Sequence, residues 1–160
     1  MRGIVGLALA LALVAGAGRA TAAAPKEPCK DLKLAQASAV LGPTVKLSEK
    51  KVIRERVCTA KVGGAVAATV RSQTATDYDY VVTGLKNEKV LVKGLRTVSL
   101  GSGGYGYDLY AGAPPTLSQR VLLFRAGARM FFVEVPARRP LTAAKHLTLA
   151  RSVLKTAPRS

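Results

Sequence analysis

RVLLFRAGARMFFVEV, residues 120–135, is the stretch whose reading decides the fold. Two apolar runs, Arg120 to Phe124 and Met130 to Val135, are rich in the β-branched and aromatic residues that suit a pleated, buried surface. Between them Arg125-Ala126-Gly127-Ala128-Arg129 predicts a hairpin with a turn of about four residues. Period-two alternation puts Phe131, Val133 and Val135 on one face and Met130, Phe132 and Glu134 on the other. Pro136 and Pro140 bracket the exit.

Downstream, Thr142 is placed to cap a helix over Ala143 to Thr156. Its apolar stripe is Ala143, Leu147, Ala150, Val153 and Leu154, with Lys145, Arg151 and Lys155 outward. Upstream, Asp31 is placed to cap a short first helix carrying Leu34, Ala37, Val40 and Leu41, which Gly42-Pro43 stops. Thr44 to Leu47 reads as a brief strand and Val52 to Lys61 as a longer one. Gly63-Gly64 marks a hairpin into Ala65 to Gln73. Tyr78, Val81, Val82 and Leu85 recur at helical spacing, so Asp77 to Lys86 reads as a helix despite its strand-favouring composition. Thr76 or Asp77 is placed to cap it and Asn87 to end it. Val90 to Val98 reads as strand with a bend at Gly94, Gly101 to Gly106 as a glycine loop, and Tyr107 to Ala111 as strand up to Pro114-Pro115. The sum is α+β: an antiparallel sheet with an N-terminal, a middle and a C-terminal helix packed mainly on one face.

The N-terminus carries a different kind of signal. Arg2 precedes an uncharged apolar run from Ile4 to Gly16, and small residues fill Gly16 to Ala24 apart from Arg19 and Thr21. That order predicts a cleavable Sec signal peptide over residues 1–22, cut after Ala20-Thr21-Ala22, with Gly18-Arg19-Ala20 as the alternative. The run is shorter than the roughly 20 residues that span a bilayer, so no transmembrane segment is expected after cleavage. Arg2-Gly3 does not fit a twin-arginine signal. Cys29 follows Lys26-Glu27-Pro28 rather than small residues, so no lipid anchor is expected. Residues 23–28 then form a short extended leader, 29–157 a single domain and 158–160 a tail.

The chain holds 25 Lys and Arg against 9 Asp and Glu. Arg2 and Arg19 leave with the signal, so the mature chain carries 23 against 9, a net +14. Such a charge favours anionic partners. For an exported protein, anionic lipid or an envelope polymer is more accessible than nucleic acid, which is not an expected partner. The basic clusters Lys50-Lys51, Arg54 with Arg56, and Arg138-Arg139 are the candidate contacts. Cys29 and Cys58 are the only cysteines, and an even pair in an exported chain predicts a disulfide.

Little here carries chemistry. Gly101, Gly103 and Gly106 satisfy G-x-G-x-x-G, but strand rather than helix follows, so no cofactor is expected. The five tyrosines fall in two clusters, Tyr78/Tyr80 and Tyr105/Tyr107/Tyr110. Tyr105 and Tyr107, sharing a strand face beside Gly103 and Gly104, are candidates for lining a ligand groove. His146 is the only imidazole and reads as a surface or boundary residue of the last helix. Asp108 and Glu134 are the one carboxylate pair placed to meet across a sheet, as a hydrolase would require. With no nucleophile–base set and no metal-ligand spacing, the chain is not expected to be an enzyme.

Pro28-Cys29, the helix ending Val40-Leu41-Gly42, Cys58 in an early strand, Val92-Lys93-Gly94-Leu95, the late hairpin, and Leu149-Ala150 with Val153-Leu154 together resemble the actinobacterial domain-of-unknown-function family 3558. These are small exported proteins, many of them lipoproteins. The resemblance covers about 130 residues and includes the twelve-residue gap from Cys29 to Gly42. This chain departs from it where Gly94-Leu95-Arg96-Thr97 stands in place of Gly-Leu-Gly-Asp, and in lacking a lipid-bearing Cys. It implies an α+β domain with a Cys29–Cys58 bridge and no particular activity. The expectation is a secreted or cell-envelope-associated binding or accessory domain for an unknown ligand or envelope component. The alternatives are an electrostatic binder of anionic lipid or polymer, and a hydrolase using Asp108 and Glu134.

Overall fold

The computed structural model describes residues 29–157. The expected signal peptide, leader and tail lie outside those residues. The chain runs α1 (Leu34–Leu41), β1 (Lys46–Val52), β2 (Glu55–Val62), β3 (Ala65–Thr74), a 3-10 turn (Ala75–Asp77), α2 (Tyr78–Asn87), β4 (Val92–Thr97), β5 (Gly104–Ala111), β6 (Thr116–Ala126), β7 (Arg129–Pro136) and α3 (Ala143–Thr156). This is the α+β architecture the sequence predicts, with three helices on one seven-stranded sheet.

The strand order is β1-β2-β3-β7-β6-β5-β4, and every neighbouring pair is antiparallel. Two meanders, β1 to β3 and β4 to β7, are therefore joined edge to edge through β3 and β7, with α2 as the crossover. That topology explains the double-sided apolarity of residues 120–135. The β6–β7 hairpin lies at the centre of the sheet, where both faces are covered. Phe124, Phe131, Val133 and Val135 meet α1 and α3 on one face. Val121, Leu123, Met130 and Phe132 meet α2 on the other. Phe124 and Phe131 stack with ring centroids 5.3 Å apart. Two helices share one face and the middle helix takes the opposite one.

The Cys29–Cys58 disulfide forms, with Cα atoms 5.7 Å apart. It fastens the segment before α1 to β2. Polar contacts reinforce that junction: buried Ser72 donates to Asp31 Oδ2, and the Thr156 hydroxyl donates to the Asp31 carbonyl at 2.7 Å. Asp31 is thus a buried tie between sheet and α3 rather than the cap of α1, whose N-cap is Lys33.

Three boundaries differ from the sequence expectation. Val52 to Lys61 is not one strand, because the chain reverses at Ile53-Arg54 between paired Val52 and Glu55. Arg54 takes φ 63°, a turn conformation that no glycine or asparagine announced. The expected Gly63-Gly64 turn forms with φ 58° and 80°. The 120–135 hairpin turns on Gly127-Ala128 alone, since Ala126 and Arg129 still pair. β6 starts earlier than its apolar run, at Thr116. α2 and α3 hold their expected places. The Thr142 side chain accepts from Lys145 N, whereas Asp77 occupies the α2 N-cap without a side-chain hydrogen bond.

Candidate functional site

The expected tyrosine–glycine groove forms only in part: Tyr107 lines the cleft described below, whereas Tyr105, Gly103 and Gly104 do not. Gly104 and Gly106 lie inside β5 rather than in a loop. Tyr105 and Tyr107 do share a face, but it is the face that α2 covers. Tyr107 is only 5% exposed. Burial, then the negative field of Glu134, pushes its phenol up to about 12. Tyr105 is half-buried, with the Lys86 ammonium 5.8 Å from its ring centroid. Gly103 serves the core through its carbonyl, which accepts from Tyr78 Oη at 2.9 Å.

The carboxylate pair separates as well. Asp108 registers with Arg120, and Arg120 with Val135, whereas Glu134 registers with Val121 and Val121 with Tyr107. Asp108 and Glu134 therefore point to opposite faces of the sheet. Glu134 is buried, and its Oε1 accepts from Arg71 Nε at 2.6 Å. Arg71 also reaches Glu55 at 3.1 Å and lies 4.7 Å above the Phe132 ring. Burial outweighs the Arg71 charge and raises the Glu134 pKa. This network closes the core on the α2 side, and the carboxylate that shares Arg71 with Glu134 is Glu55, not Asp108.

The basic clusters lie at opposite ends of β2. Lys50, Lys51, Arg54 and Arg56 surround the β1–β2 turn. Arg138 and Arg139 are exposed at the far end, where Arg139 donates to the Val62 carbonyl. A strand of this length separates them by roughly 20 Å, too far for one continuous patch.

What the fold does assemble is a cleft of about 370 Å³ between β4, β5 and β6 and the start of α3. Val98, Leu122, Leu141 and Leu147 supply its apolar surface, and Arg96, Asp108, Arg120 and His146 its polar groups. A bulge at Gly94 shifts the β4 register so that Arg96 pairs with Gly106. A Cβ on Gly106 would lie 3.3 Å from the Arg96 guanidinium carbon and 3.2 Å from Leu122, so glycine leaves room for both side chains. On the neighbouring strands Arg120 Nε stands 3.8 Å from Asp108 Oδ1. Two arginines against one aspartate leave one net positive charge. Ala143, the first residue of α3, completes the wall, and the helix start adds its own positive potential.

A scan against protein-family models, a search of curated proteins and a search of solved structures find no match to this chain. The cleft's chemistry is therefore read from its own groups.

His146 is buried, not on the surface, and its stripe on α3 continues through Leu149, Ala150 and Val153 instead of Ala143. Its Nε2 lies 2.9 Å from the Val133 carbonyl. A carbonyl only accepts, so Nε2 carries the proton and Nδ1 is the acceptor of the neutral ring. Burial lowers the His146 pKa, the Val133 hydrogen bond opposes that, and Arg96 and Arg120 lower it further. The unfolded imidazole therefore takes up its proton first. Its contribution is fully present above about 6.5 and is lost as pH falls towards the lower folded pKa. The difference in urea midpoint between wild type and His146→Gln should shrink from pH 8 to pH 5. A constant difference would show that the imidazole is not held neutral.

None of Arg96, Arg120 and His146 stands out along the chain as part of a site. They lie on three elements, up to 50 residues apart, and only the strand order gathers them. The one local signal is Asp108, the single charged residue of β5.

Proposed function

We propose that this chain is a non-enzymatic, extracytoplasmic binding domain whose cleft beside α3 holds a small anionic amphiphile. One observation carries the reading: Arg96 and Arg120 stand at an apolar-lined cleft that also opens on a helix N-terminus. A carboxylate or phosphate there meets guanidinium donors and the α3 start, while Leu122, Leu141 and Leu147 take up an apolar body. The volume falls near the low end of small-molecule sites, about 300–1,000 Å³. The export signal expected from residues 1–22 supports the compartment, as does the disulfide, since cytosolic thiols stay reduced. A binding role also agrees with Asp108 and Glu134 facing opposite sides of the sheet.

The test is calorimetry with dodecyl phosphate, dodecanoate and dodecyltrimethylammonium. The two anions should bind with one-to-one stoichiometry and the cation of equal chain length should not. Arg96→Ala/Arg120→Ala should weaken the anions by about tenfold or more, the worth of a charge-assisted contact. Equal binding of the cation, or turnover of an ester analogue, would overturn the reading.

A further inference from the structure

The β1–β2 hairpin offers a second surface, separate from the cleft. Its tip is Ile53, which is 90% exposed, the most exposed large hydrophobic side chain described, and Val52 beside it is also exposed. An aliphatic pair held out at a turn has no folding role there. Cations surround it: Lys50, Lys51 and Arg54 are exposed and have no ion-pair partner among the described residues. Behind the tip, Lys51, Arg54, Arg56 and Arg129 converge on a concavity of about 190 Å³, in which Glu55 is the only acid. Glu55 is already engaged by Arg71. Arg129 Nε is the one buried side-chain polar atom among the described residues without a hydrogen-bond partner.

We propose that this hairpin is a membrane-docking finger for an anionic phospholipid surface: Ile53 and Val52 enter the acyl boundary while the concavity behind them receives a lipid phosphate. The two halves explain each other. An aliphatic tip alone binds membranes weakly and a basic cluster alone binds any polyanion, but a tip set just beyond a ring of cations matches the order of acyl chain and headgroup. A soluble polyanion has nothing to offer Ile53. No helix among the described residues is long and apolar enough to span a bilayer. Arg138 and Arg139, at the other end of the sheet, take no part.

The chain contains no tryptophan, so Ile53→Trp installs a single reporter at the tip. With vesicles containing phosphatidylglycerol its emission should shift to the blue. With pure phosphatidylcholine vesicles, inorganic phosphate or soluble polyphosphate it should not. In vesicle sedimentation, Ile53→Ser should weaken partitioning about tenfold, what burial of one aliphatic side chain is worth. Lys50→Gln/Lys51→Gln should weaken it by about fivefold per lysine. Arg138→Ala/Arg139→Ala should partition as wild type. A blue shift with polyphosphate would overturn the proposal in favour of a polymer site. Wild-type partitioning by Ile53→Ser would overturn it too, leaving only charge attraction. Absence of any vesicle binding would overturn it outright.

Discussion

Replacing both cysteines by serine should lower the stability of the domain by about 3 to 4 kcal/mol, the chain-entropy worth of closing a loop of this length. The bridge joins positions 29 residues apart. For a domain of this size the loss corresponds to a fall in melting temperature of roughly 10 to 15 °C. Geometry places the effect at the N-terminal junction. Leu32 is fully buried and Asp31 bonds Ser72 and Thr156, yet the disulfide is the only covalent link holding this segment to the sheet. Without it α1 samples detachment, and the α1–α3 face of the core loosens with it. Thermal unfolding followed by circular dichroism, on Cys29→Ser/Cys58→Ser and on reduced wild type, should give matching losses. A shift below a few degrees would mean that the buried contacts alone hold the segment.

The second large effect concerns Arg71. Arg71→Ala leaves Glu134 buried without its cation. Breaking a fully buried pair costs about 3 to 5 kcal/mol, but Arg71 is about one-third exposed, so about 2 to 3 kcal/mol is expected at pH 8. Glu134 already has a pKa above its ordinary value of 4.5, because burial outweighs Arg71. A carboxyl with a raised folded pKa contributes stability that is present when both states are protonated and is lost as pH rises through the folded value. Removing Arg71 raises that value further, so the deficit of Arg71→Ala should narrow on going from pH 8 to pH 5. Arg71→Met/Glu134→Leu should recover most of the loss at pH 8, since it removes both charges together. Urea midpoints at the two pH values decide this. A deficit independent of pH would show that Arg71 stabilises by packing over Phe132 alone.

Those effects show which parts of the molecule were legible along the chain. α3 was, because Thr142 caps it and the apolar spacing runs without interruption. Gly63-Gly64 was, because two glycines permit the two positive φ values of a tight turn. The β6–β7 hairpin is plain in the sequence, but its double-sided apolarity acquires a cause only from the strand order that buries it centrally. The Ile53-Arg54 turn was invisible, since Arg54 adopts φ 63° with no residue type to mark it. The burial of His146 is not legible, because a polar ring counts against burial along the chain and its partner, the Val133 carbonyl, is supplied only by the fold.

The candidate cleft was the least legible feature. Tyr105 and Tyr107 are conspicuous along the chain as large rings, yet α2 covers their face and only Tyr107 reaches the cleft wall. Arg96 and Arg120 carry no mark along the chain that sets them apart from the other cations, although the sheet brings them beside α3. Pairing across strands depends on register, and the bulge at Gly94 moves Arg96 to a position that simple alternation does not give.

Residue-resolved NMR titration of the wild-type protein with dodecyl phosphate tests the cleft most directly. Saturable shifts should appear at the amides of Val98, Leu122, Ala143 and His146, and the imidazole of His146 should titrate at higher pH once the anion is bound. Shifts confined to residues 50–56, or no saturable change around His146, would contradict a ligand seated between the sheet and α3.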